Sequence, residues 1–164
     1  MFRKNEASQQ ADFFGSFDFN FSSRKGCELN DPNSWWDLFY KYVTCKIDEA
    51  LFAGLYSESM GRPNARIRLL VAMMILKEGF GWSDGKLFEE CNFNILVMKA
   101  LGLSGLNDTI PSESTYYEFK QSLYRHQVEK GADLIIQCFQ RLTEAQAKLF
   151  GVSGDKIRMD SKLI

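Results

Sequence analysis

A chain of 164 residues, 45% apolar and 25% charged, suits one globular domain with a core that needs no disulfide or metal staple. Its formal net charge of −1 excludes a uniformly basic nucleic-acid binder, so any DNA contact must come from a local patch. Four scattered cysteines without a C-x-x-C pair and a single histidine, His126, argue against a zinc site.

The start, Met1 to Gln10, has no apolar run after its charges and does not read as a secretory signal. The longest apolar run, Leu69 to Leu76, is far short of a membrane span. The chain is therefore expected in the cytoplasm, away from membranes, with reduced thiols. Residues 1–31 read as an arm. Phe13, Phe14, Phe17, Phe19 and Phe21 alternate there with small or acidic residues. The pattern fits a half-exposed strand or a segment whose aromatics dock on a partner; an arm with little regular structure is the expectation.

Residues 32–151 read as a compact, all-α, multi-helix domain. Ser34 caps a helix whose stripe is Trp36, Phe39, Tyr40 and Val43. A second helix is predicted from near Asp48, with Ile47, Leu51 and Leu55 on one side, ending before Gly61. Asn64 is predicted to cap a third, running to about Glu78 and apolar nearly all round, hence central to the core. Ser83 caps a short fourth helix through Leu87, Phe88 and Cys91. A fifth runs from about Asn94 to Leu101, with Gly102 ending it in a left-handed turn. Ser112 opens the sixth, with Tyr116, Phe119 and Leu123 inward. A long C-terminal helix is predicted from about Val128 to Phe150, with Val128, Ile135, Leu142 and Leu149 at heptad spacing and the small Gly131, Cys138 and Ala145 between them. Small residues there favour packing on the chain's own core over a free coiled coil. In residues 152–164, Lys156 to Asp160 alternates polar and apolar, a strand signature. A lone terminal strand has no partner within a helical body, so it reads as the start of something longer.

Several segments together resemble the N-terminal, InsH-like domain of DDE-type insertion-sequence transposases. They are Leu55-Tyr56 through Gly61-Arg62-Pro63, the apolar helix Arg68 to Lys77, and the turn Gly79-Phe80-Gly81-Trp82-Ser83-Asp84. Ala100-Leu101-Gly102-Leu103 follows, then Pro111 to Thr115 with Phe119 four residues on, and finally Arg158-Met159-Asp160-Ser161-Lys162. The likeness covers roughly Ile47 to Ile164. Ser112 stands where the family usually has aspartate, and both are good caps. The resemblance implies that Asp160 is the first of three carboxylates that hold two divalent ions, Mg²⁺ in a full-length enzyme. The RNase H-like catalytic domain does not follow within these residues. The chain is then expected to be catalytically inactive alone and to need no cofactor, as a truncated DNA-binding and assembly domain.

The helices at 83–91, 94–101 and 112–125 resemble a helix-turn-helix segment with a longer loop before the last. In that motif the recognition helix offers its N-terminal residues to base edges. Here those are Ser114, Thr115 and Tyr117, with Lys120, Gln121 and Arg125 placed for phosphates. A capped amphipathic helix with a mixed solvated face is the other reading, since Glu113, Glu118 and Glu129 dilute the charge. Arg62, Arg66, Arg68 and Lys77 form a second basic group. Arg66 and Arg68 lie where cations oppose the helix dipole, which points to a carboxylate or phosphate partner. Trp35, Trp36 and Trp82 read as core or rim anchors and His126 as a helix-junction residue. The expected partner is double-stranded DNA, the element's terminal inverted repeats. The expected assembly is a homodimer or pairing with intact transposase. The alternative is an all-helical protein-interaction module, favoured by the acidic balance and the Phe-rich arm.

Overall fold

The computed structural model describes residues 2, 28–56, 64–103 and 108–152. Every regular element among them is helical. The expected arm (apart from Phe2 and residues 28–31) and the expected strand at Lys156–Asp160 lie outside the described residues.

Helix α1, Trp35–Tyr42, starts where the Ser34 side chain accepts the Asp37 N–H. Its N-terminal approach is tied to the body: the Trp36 indole N–H donates to the Leu29 carbonyl at 3.1 Å, and Lys99 Nζ donates to the same carbonyl. A 3-10 turn at Thr44–Lys46 follows, and the buried Thr44 hydroxyl donates to Ala100 O at 2.8 Å.

The predicted α-helix from Asp48 is instead a tight 3-10 segment, Glu49–Leu55. Glu49, Phe52 and Leu55 recur every three residues, the 3-10 period. Glu49 and Phe52 are buried and Leu55 packs against the core, so the tighter winding puts all three inward. The predicted continuation toward Gly61 falls in residues that are not described.

Helix α2, Ile67–Phe80, is the central element. Ile67, Leu69, Leu70, Val71, Ala72, Met73 and Leu76 are all buried. Its start corrects the sequence reading. Asn64 does not cap it; the Asn64 amide donates to Ala65 O. Arg66 sits at the N-cap without a side-chain cap bond. The buried carboxylate of Glu49, 19 residues earlier, accepts the Arg68 N–H at 3.2 Å. An anionic oxygen from a distant segment thus satisfies a first-turn donor and meets the positive end of the helix dipole. The helix runs two residues past the expected Glu78 and ends at Gly81, in the left-handed conformation at φ 66°.

Helix α3, Asp84–Phe93, is capped by Ser83, and α4, Ile95–Leu101, by Asn94, with left-handed Gly102 closing α4. Helix α5 spans Glu113–Lys130 under a Ser112 cap. The single long helix predicted from Val128 is two elements. Helix α5 continues to Lys130, Gly131 turns left-handed at φ 66°, and Asp133 caps α6, Leu134–Phe150, by accepting the Ile135 and Ile136 N–H groups. Glycine suits the left-handed C′ position and aspartate the N-cap, so the chain breaks where the heptad reading ran through. Val128 and Leu149 are exposed; the inward stripe of α6 is Leu134, Cys138 and Leu142.

One apolar cluster joins α2, α3, α4, α5 and α6 with Ile47 and Phe52. Helix α1 packs on α4, while α5 packs chiefly on the Glu49–Leu55 segment and α6. The three tryptophans act as anchors on the rim: Trp35 meets Trp36 and Phe80 edge-on, and Phe80 stacks on Trp82 at 4.7 Å. No described helix is long and apolar enough to cross a membrane.

Candidate nucleic-acid interface

The inward face of α5 fixes what its outward face presents. Tyr116 and Phe119 are buried. Tyr116 meets Phe88 of α3 edge-on at 5.6 Å, and Phe119 meets Phe52 at 5.9 Å. With that side anchored, residues at three- and four-residue spacing on the opposite side share one surface. Ser114, Tyr117, Gln121 and Arg125 lie there, all exposed.

The N-terminal hydroxyls are knitted to the cap. Ser112 Oγ lies 3.0 Å from Ser114 Oγ and 2.9 Å from Thr115 Oγ1, and it accepts the Thr115 N–H. Thr115 is half-buried at the edge of the face. The Tyr117 hydroxyl donates to Asp84 Oδ2 at 2.9 Å, leaving the ring 45% exposed. Lys120 is half-buried, its ammonium 5.5 Å from the Tyr116 ring and 5.9 Å from the Tyr117 ring, a cation–π arrangement.

Asp84 gathers the charges behind this face. Its Oδ1 lies 3.1 Å from Lys77 Nζ of α2, an ion pair without aligned hydrogen-bond geometry. The Lys77 ammonium and the Tyr117 hydroxyl hold the Asp84 carboxyl below the usual carboxylate range, against an opposing push from burial. The Asp84 carboxylate in turn raises the Tyr117 phenol above its ordinary value. Burial pushes the Tyr116 phenol up to about 12. Along α5, Glu113, Glu118 and Glu129 balance Lys120, Arg125 and Lys130. Attraction to an anion must therefore be local rather than a property of the whole helix.

Arg66 and Arg68 stand on and beside the first turn of α2 and not on α5. Arg66 is exposed; Arg68 is half-buried. The Glu49 carboxylate accepts the backbone N–H of Arg68. Arg68 Nε is buried without a hydrogen-bond partner among the described residues. Arg62 and Asp160 lie outside the described residues. His126 sits at the α5–α6 junction, with Nδ1 3.3 Å from Ala132 O. Among the described residues no group of three or more His, Cys, Asp or Glu converges as metal ligands would.

Sequence reasoning gave no site role to Asp84 or Tyr124 and placed Lys77 with the basic group of Arg62, Arg66 and Arg68, not beside α5. Asp84 was legible only as part of a helix-start turn, because its partners lie 7 residues before it and 33 after it. Tyr124, 68% exposed, carries a signal that was available: it lies seven residues after Tyr117, on the same outward side.

An all-α body in which a capped helix is anchored by a buried aromatic face defines a small helical domain. Residues 28–122, more than half of the chain, match the family model described as Transposase domain (DUF772). The chain belongs to that transposase-domain family. No curated protein and no solved structure matches it.

Proposed function

We propose that this chain is the DNA-binding and assembly domain of an insertion-sequence transposase, and that α5 lies against duplex DNA. The observation that carries the reading is the outward row Ser114, Tyr117, Gln121 and Arg125 on a capped helix, within or beside the residues matched by a transposase-domain family. Ser114, Thr115 and the Tyr117 ring would meet base edges, while Lys120, Gln121 and Arg125 would meet phosphates. Helices α3 and α4 would serve as the supporting part of a helix-turn-helix-like unit. Arg62, Arg66 and Arg68 form a second, flanking group for the DNA backbone. The preferred DNA is the element's own terminal inverted repeats, and a homodimer or a pair with intact transposase is the working assembly. Cytoplasmic residence accords with the free Cys45, Cys91 and Cys138.

Asp160 is the residue proposed here for the metal-holding set of a DDE enzyme. One carboxylate cannot hold two ions in place, so Asp160 would act only together with further carboxylates. Asp160 and Mg²⁺ matter in a full-length enzyme.

The test is a gel-shift titration at low salt with terminal-repeat duplex and an unrelated duplex of equal length. Binding that favours the repeats and weakens with salt supports the proposal; absence of any shift at low salt refutes it. A second reading, a protein-interaction module, is favoured by apolar side chains left exposed on α6: Ile136, Phe139, Leu149 and Phe150. Large apolar side chains left exposed on one helix are candidates for a contact surface.

A further inference from the structure

We infer that Asp84 is a positioning residue for the DNA-facing side of α5, acting through the Tyr117 hydroxyl; the inference rests on the DNA reading above. Three helices meet at this one carboxylate. Asp84 is the first residue of α3, where the Ser83 cap fixes the backbone. Its Oδ1 faces Lys77 of the core helix α2 at 3.1 Å, and its Oδ2 accepts the Tyr117 hydroxyl of α5 at 2.9 Å. A hydrogen bond to a charged acceptor is stronger and more directional than a neutral one. The Tyr117 ring is held on its other sides too: edge-on to Tyr116 at 5.9 Å, with the Lys120 ammonium 5.9 Å from its centre. The lysine is thereby drawn toward the same spot.

The consequence for binding is one of preorganisation. A tyrosine and a lysine on an exposed helix surface ordinarily sample several rotamers, and ordering them on binding costs free energy. Here the ordering precedes the DNA. The Tyr117 hydroxyl is engaged inward, so the ring face and the Lys120 ammonium, rather than the phenol oxygen, are what the helix offers outward.

The experiment is a double-mutant cycle read by fluorescence anisotropy on the terminal-repeat duplex. The chains are wild type, Asp84→Ala, Tyr117→Phe and the double variant. Each single change is expected to weaken binding about three- to tenfold, and the double variant no further, because both remove the same contact. Asp84→Asn, which keeps an acceptor for the hydroxyl, restores most of the affinity. A merely electrostatic Asp84 gives the opposite sign: losing a negative charge near DNA tightens binding, and that result overturns the inference. Tyr117→Phe that still weakens binding in the Asp84→Ala background also overturns it, because the hydroxyl would then touch DNA itself. Amide exchange over residues 113–121 reads the brace without DNA: faster exchange in Asp84→Ala is expected, and unchanged exchange refutes the brace. A wild-type chain that binds no duplex removes the DNA reading and the functional half of this inference, while the exchange result still decides the brace.

Discussion

At the scale of single residues, two positions carry constraints out of proportion to their size. Gly102 closes α4 in the left-handed region at φ 75°. A Cβ there would also strike the Tyr40 ring, 2.9 Å from Cδ2 and nearer still to Cε2. Gly102→Ala is expected to cost about 2–4 kcal/mol, from backbone strain plus the displaced ring. Equilibrium urea unfolding checks this; a loss under about 0.5 kcal/mol would mean that α1 gives way freely. Glu49 is buried and accepts the Arg68 N–H, so Glu49→Ala strands a first-turn donor and opens a gap. A loss of about 2–3 kcal/mol is expected in the same assay.

The thiols give a third prediction at this scale. Burial pushes Cys91 up to about 12 and Cys138 up to about 11 from an ordinary 9.0. Site-resolved alkylation near pH 8 should label the exposed Cys45 quickly and spare Cys91 and Cys138 until the fold opens. The raised values favour the folded state fully below about pH 9, and that contribution declines as pH climbs toward the folded values. Equal labelling of all three in the native state would contradict their burial.

At the scale of elements, local chemistry was legible where it was self-contained. Ser34, Ser83, Asn94 and Ser112 cap helices that begin where their side chains allow, and Gly102 ends one where a left-handed residue is needed. Reading failed where the deciding partner was distant or where two signals competed. Asn64 looked like a cap, but Glu49 arrives through tertiary folding, which no local pattern displays. The heptad through Val128, Ile135 and Leu142 outweighed Gly131 and Asp133, although glycine followed by aspartate two residues on is itself a stop-and-start signal. Asp133 offers a direct check, since its carboxylate accepts two N–H groups of α6. Asp133→Ala is expected to cost about 1 kcal/mol and to speed amide exchange at residues 134–137. Unchanged exchange there would mean that packing alone holds the helix start.

At the scale of the whole molecule, the candidate face was half visible beforehand. The outward row of α5 follows from its spacing and from the burial of Tyr116 and Phe119. The Lys77–Asp84–Tyr117 meeting point depends on how three helices pack and leaves no trace in any one segment. The balanced charge of α5 bears on affinity. With Lys120 and Arg125 as its cations, the face should neutralise about two phosphates, more where Arg66 joins, giving a salt slope of roughly −2 to −3.

The measurement that bears most directly on the account is a salt-dependent anisotropy titration of the chain on terminal-repeat and unrelated duplexes, repeated with Arg125→Ala. The account predicts tighter binding to the repeat, a slope of roughly −2 to −3, and one that is shallower by about 1 in the variant. Failure to bind either duplex at low salt, or binding that Arg125→Ala leaves unaltered in strength and slope, would contradict the claim that α5 is the surface that meets DNA.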